Sequence, residues 1–179
     1  ENTVLIESAN DYGMMYSLNS LSKWTAIHTT SMKNLTMSAY FVSGRIVKYT
    51  LVCEWSSIPS VKSYDVIGFR IVGNDAAIYK MSNGGNDIAG IQNYDGNFIK
   101  YNGNSNNLKI ENGVGLSCNI VDSVSEYLTI SLATNIVLGD RDYVGVYGSY
   151  QHATSNVTLE QSQKYNFSYS GMGHVFEFA

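Results

Sequence analysis

The stretch 45–55, RIVKYTLVCEW, most constrains what this chain can fold into. Val47, Tyr49, Leu51, Cys53 and Trp55 alternate with the more mixed Ile46, Lys48, Thr50, Val52 and Glu54. A period of two sets one group on a buried sheet face and the other on the reverse. Five large residues on one face put this strand near the centre of a sheet. Shorter β-like runs follow or precede it at 3–6, 66–72, 76–81, 88–94, 98–101, 108–110, 114–121, 126–132, 143–151, 156–160, 165–170 and 174–178. Another strand follows a loop within 32–42. Turn signals separate them, and Asn83-Gly84, Asn102-Gly103 and Asn112-Gly113 are pairs that favour tight hairpin turns. Helical periodicity is scarce. Its best instance, 17–28 with Leu18, Leu21 and Trp24 three apart, predicts a turn or two. The expectation is an all-β fold with little helix, a sandwich or barrel, as one domain over 1–179.

Composition narrows the function classes. Charged residues are 15% of the chain, below the roughly 25% of average soluble proteins. Asn, Ser, Thr, Gly and Tyr take their place, a surface chemistry that suits the cell exterior and sugar ligands. Net charge is −4 and the cations are scattered, so a phosphate-tracking nucleic-acid surface is not expected. No apolar run reaches the ~18–20 residues that span a bilayer, so membrane insertion is not expected either. The start at Glu1 reads as the first residue of a processed, exported chain. In an oxidising compartment Cys53 and Cys118, each in a β-like run, would form a disulfide worth roughly 4 kcal/mol. Two buried free thiols are the alternative.

Enzyme chemistry finds little purchase. The histidines are His28, His152 and His174, far apart, and no G-x-S-x-G nucleophile motif occurs. They would bind metal only if folding made them converge. Seven loop carboxylates include Asp75, Asp122 and Glu126, but none is singled out as a glycosidase pair. The expectation is therefore no enzyme, no cofactor and no metal. Sugar recognition needs carboxylates or amides to orient hydroxyls, backbone groups to fix them and an aromatic face. Fourteen Tyr and two Trp supply aromatics, and Asp75, after Gly73-Asn74 at a strand end, is a geometric candidate.

The stretch Glu7-Ser8-Ala9-Asn10-Asp11-Tyr12-Gly13, with Ser17-Leu18 following, resembles the opening of the N-acetylglucosamine-binding lectin domains of enterobacterial fimbrial tip adhesins. The apolar run VIGFRIVGND, ending at Asp75, resembles their strand ending in Gly-Asp, and the two cysteines are placed similarly. The resemblance implies an elongated immunoglobulin-like, Greek-key β-sandwich capping a chaperone–usher pilus. A pilin domain would follow Ala179 and join further fimbrial subunits. It implies an inter-strand Cys53–Cys118 bond, Asp75 on sugar hydroxyls, and backbone contacts at Ser43 and Gly44. Ser117 stands where the family has an aromatic, and Ser125 and Glu126 fall roughly at its Thr-Gln pair. The stacking wall is then missing or moves to Tyr127 or Trp55, and Glu126 brings a charge where Gln has donors. Architecture carries over, whereas N-acetylglucosamine specificity does not.

The reading is an extracellular carbohydrate-binding adhesin domain at a fimbrial tip, exported through the periplasm, that attaches to a host glycan or glycoprotein receptor. Its competitors are a protein- or surface-binding adhesin without a sugar pocket, a viral or phage receptor-binding head, and a metal-dependent protein.

Overall fold

The computed structural model describes residues 5–8, 14–17, 24–29, 32–73, 76–140, 143–168 and 175–178. Their strands are β1 (Leu5–Ser8), β2 (Met14–Ser17), β3 (Trp24–Thr29), β4 (Lys33–Ser43), β5 (Ile46–Trp55), β6 (Tyr64–Val72), β7 (Ala76–Ile78), β8 (Ala89–Tyr94), β9 (Asn97–Asn102), β10 (Leu108–Ile110), β11 (Gly113–Asn119), β12 (Leu128–Leu138), β13 (Tyr143–Ala153), β14 (Tyr165–Phe167) and β15 (Phe176–Phe178). One helical turn, α1 (Leu159–Ser162), joins them. The described chain is all-β, built of antiparallel sheets with little helix.

Two large sheets share one core. The first has the order β3-β4-β5-β12-β8-β9, with β7 beside β12; the second has the order β1-β13-β6-β11-β10, with β2 beside β13. As its alternation requires, β5 is interior, between β4 and β12. Val47, Tyr49, Leu51 and Cys53 are fully buried and Trp55 nearly so. On β12 the buried stripe Leu128, Ile130, Leu132 continues through Thr134 to Ile136 and Leu138, past the expected end at 132. Thr134 breaks the apolar stripe in sequence, but not the pairing with β5. Ile67, Phe69, Val114, Leu116, Val146 and Tyr150 face this stripe from the second sheet. Tyr49 meets Phe69 edge-on at 6.3 Å between ring centroids. Full burial of each such aliphatic side chain stabilises by about 1.5–3 kcal/mol.

A third, thin layer covers the outer face of β6 and β11. The hairpin β14–β15 brings Tyr165, Phe167 and Phe176 onto Val66. Glycines make room for the rings. A Cβ on Gly68 would lie 2.2 Å from the Val114 carbonyl oxygen and 2.8 Å from the Phe176 ring, and one on Gly115 2.0 Å from the Tyr165 hydroxyl. This layer is why β11 is buried on both faces.

Three expectations are corrected. Cys53 and Cys118 are buried free thiols, not a disulfide. They stand on opposite sheets, and the Cys118 sulfur accepts from Gln92 Nε2 at 3.3 Å and lies 3.9 Å from the Tyr101 hydroxyl. It is thus turned to β8 and β9, while Cys53 sits in register between Leu35 of β4 and Ile130 of β12. Burial pushes the Cys118 thiol up to about 12, so it stays a neutral, core-filling group. The helical turn expected in 17–28 is strand over Trp24–Thr29, where pairing with β4 overrides a weak helical spacing; residues 18–23 lie outside the described ones. The strand expected at 156–160 gives way to α1, because Thr158 and Gln161 form a capping box: the Thr158 hydroxyl accepts from Gln161 N–H, and Thr158 N–H donates to Gln161 Oε1.

Thiol titration of the protein denatured without reductant is expected to count both cysteines as free. Dithiothreitol is expected to leave the melting temperature unchanged; a fall would restore the bond.

Candidate functional site

Residue register decides which loops meet. Trp55 at the end of β5 pairs with Lys33 at the start of β4, and Glu54 with Thr129 at the start of β12. The connections 56–63, 120–127 and 154–158, and the β8–β9 turn, therefore gather at one pole. Ser43 and Gly44, in the β4–β5 turn, lie at the other pole with the 139–140 connection, where Arg45 donates to the Leu138 and Gly139 carbonyls.

The predicted binding residues consequently separate. Ser125 and Glu126 are exposed at the first pole, Ser43 and Gly44 at the second, roughly 30 Å away at ~3.3 Å per residue of β5. Ser117 is on neither rim. It lies in mid-strand opposite Val66, under the outer aromatic layer, and its buried hydroxyl meets no partner among the described residues. Asp75 and His174 lie outside the described residues, as do 9–13 of the family-like opening. Tyr127 is exposed, whereas Trp55 is buried in the core and offers no open ring face.

Beneath the first pole is a polar cluster that the sequence reading did not single out. Asp65 is fully buried. Its carboxylate accepts from the Tyr150 hydroxyl at 2.5 Å and from Ala153 N–H at 2.9 Å. His152 Nδ1 lies 3.1 Å from both carboxylate oxygens, so it carries its proton toward Asp65. Trp55 Nε1 donates to the Tyr150 hydroxyl at 3.3 Å, and its ring meets His152 edge-on at 5.0 Å. The buried Lys33 ammonium lies 5.0 Å from the Trp55 ring centroid. Burial first, then the Asp65 charge, hold the Tyr150 hydroxyl well above its ordinary pKa. A carboxylate met by so many donors is a tie between β6 and β13. A signal existed in sequence: Asp65 continues the stripe Ile67, Phe69, Ile71 at period two, as Tyr150 and His152 continue Val144 and Val146.

The loops rise directly from this tie. Ser63, two residues before Asp65, accepts from Val157 N–H at 2.8 Å and donates to the Val157 carbonyl at 3.2 Å. Its own carbonyl accepts from Ile120 N–H at 2.9 Å. One residue thus gathers all three connections. Between them opens a pocket of about 360 Å³ walled by Ser60, Val61, Lys62, Asp122, Ser155 and Asn156. Its lining residues carry hydroxyls, an amide, a carboxylate and an ammonium.

Asp95 fixes the neighbouring stretch. It sits at φ 53° beside Gly96 at φ 86° in the β8–β9 turn. Its carboxylate accepts from Glu126 N–H at 2.8 Å, Ser125 N–H at 2.9 Å and Tyr127 N–H at 3.0 Å. These backbone donors, Glu126 and Tyr127 foremost, hold the Asp95 carboxyl below its ordinary value of 3.8. The N–H groups of Ser125 and Glu126 are thereby occupied, and the Ser125 hydroxyl also donates to Asp95 at 3.3 Å. Of the three histidines, only His152 has a described side chain; among the described residues no group of three His, Cys, Asp or Glu is placed to hold a metal.

Asp65→Ala is expected to cost about 3–5 kcal/mol in urea unfolding, because it strands buried donors around His152 and Tyr150. For Asp95 the folded pKa is the lower one, so its contribution is present above the unfolded value of 3.8 and is lost as pH falls through the folded value. Protection of the Glu126 and Tyr127 amides from hydrogen exchange, relative to their intrinsic rates at each pH, is expected to fall over that acid range, and Asp95→Asn is expected to show the lower protection already at neutral pH.

No protein-family model, curated protein or solved structure matches this chain.

Proposed function

We propose that this chain is a carbohydrate-binding adhesin domain, of the immunoglobulin-like sandwich type that its opening stretch resembles, and that saccharide binds at the pole bearing Asp122 and Asn156. The observation that carries this reading is the polar pocket between the 56–63, 120–127 and 154–158 connections. Its volume of about 360 Å³ lies within the roughly 300–1,000 Å³ of small-ligand sites. Each sugar hydroxyl both donates and accepts. Asp122 accepts only, Lys62 donates only, and Asn156, Ser60 and Ser155 do both. Ser63 and the Asp65 tie hold these loops in advance, so little ordering cost falls on the ligand. Contact with one sugar would be weak, and display of many copies on a cell, as at fimbrial tips, would raise it by avidity toward host glycans.

The test is a glycan array followed by calorimetric titration of the best hit. Asp122→Ala and Asn156→Ala are each expected to weaken binding about tenfold or more, the worth of a hydrogen bond to a charged or buried polar group. Asp75→Ala in parallel separates this placement from the one implied by the resemblance. Loss with Asp75→Ala alone moves the sugar to the other position, and an array with no binder overturns the lectin reading.

A further inference from the structure

The geometry points to self-association through β9: two copies pair antiparallel along this strand, with Phe98 of each lying opposite Lys100 of the other. Three observations converge. First, β9 ends its sheet among the described residues. The β8–β9 turn has two central residues at positive φ, and the register is Tyr94↔Asn97, Gln92↔Ile99 and Gly90↔Tyr101. In such a two-residue hairpin the flanking pair is the hydrogen-bonded one. Asn97, Ile99 and Tyr101 therefore bond to β8, and the N–H and C=O of Phe98 and Lys100 turn outward along the edge.

Second, Phe98 is 58% exposed, more than any other large hydrophobic residue among those described. A ring in that position beside unpaired backbone invites a partner strand. Third, an apolar pocket of about 380 Å³ lies on the same hairpin, with Ile88, Ala89, Ile91, Lys100 and Asn102 among its walls. By register Ala89, Ile91, Lys100 and Asn102 share the outer face with Phe98.

The pairing register follows from chemistry. Antiparallel partners of outward-facing residues must themselves face outward. Lys100 opposite Lys100 of the second copy sets like charges together, which is destabilising. Phe98 opposite Phe98 sets Lys100 against the turn at Gly96 and leaves its edge groups poorly matched. Phe98 opposite Lys100 satisfies the outward N–H and C=O of both residues in both copies. Directly opposed side chains share a face. Each Phe98 ring thus arrives beside the other copy's Lys100, over the apolar pocket, where the ammonium can lie on the ring. The contact is isologous and closes as a two-fold dimer. It presents two copies of the proposed sugar pocket in one particle, but does not depend on that pocket binding sugar.

Sedimentation velocity from micromolar to millimolar protein tests this. A concentration-dependent monomer–dimer equilibrium is expected. Phe98→Lys is expected to weaken it at least about tenfold, and Phe98→Lys/Lys100→Glu to restore it, since only this register sets position 98 against 100. Hydrogen exchange at the Phe98 and Lys100 amides is expected to slow with dimerisation, while the Ile99 amide stays slow throughout. A monomer at every concentration, a dimer indifferent to Phe98→Lys, or a double variant that stays monomeric each overturns the proposal. Circular dichroism of the variants confirms that the hairpin has not simply failed to form.

Discussion

A carboxylate removed from water must be met by donors, and at Asp65 those donors come from one short run of β13. Tyr150, His152 and Ala153 converge on it from the last four positions of the strand. That constraint fixes where β13 stops against β6. It also fixes the departure of the 154–158 connection, which Ser63 then draws against 56–63 and 120. The polar pocket is a consequence of this anchoring: its walls are loops whose roots are hydrogen-bonded below the surface. Lys33 and Trp55 complete the cluster from the other sheet, so the tie also spans the core.

The outer layer shows a different economy. β6 and β11 carry glycines where the hairpin β14–β15 lays its rings, and Lys109 clasps that hairpin through the Gln163 and Tyr165 carbonyls. Backbone close enough to touch an aromatic ring leaves no room for a Cβ. The strand β11 has one apolar face in sequence, Val114, Leu116 and Cys118, with Gly115 and Ser117 on the other, and both faces are buried, by the core on one side and the aromatic hairpin on the other. Ser117, which the family resemblance placed at a ligand site, is instead sealed within this second packing layer.

Strand alternation at 45–55 fixed a central strand, and turn spacing fixed an all-β chain, because side-chain period and turn chemistry are local properties. The same locality limited the rest. Thr134 interrupts the buried stripe of β12 without ending the strand, and cross-strand pairing alone carries it to Leu138. The helical spacing of Leu18, Leu21 and Trp24 did not carry into Trp24–Thr29, which is held as strand by β4. The cysteines sit in β-like runs as a bonded pair would, yet which neighbour each sulfur faces depends on how two sheets stack.

The candidate site shows the same division. Sequence by itself determined that polar and aromatic residues crowd the loops, that Asp65 extends the stripe Ile67, Phe69, Ile71 by one step, and that Tyr150 and His152 continue Val144 and Val146 at period two past Gly148. Only the tertiary structure decided that these three meet, that Ser125 and Glu126 stand a strand's length from Ser43 and Gly44, and that Ser60, Asp122 and Asn156 wall a single pocket. The physical reason is that burial periodicity is written along each strand, whereas convergence of loops depends on sheet order and register, which arise from contacts between residues dozens of positions apart.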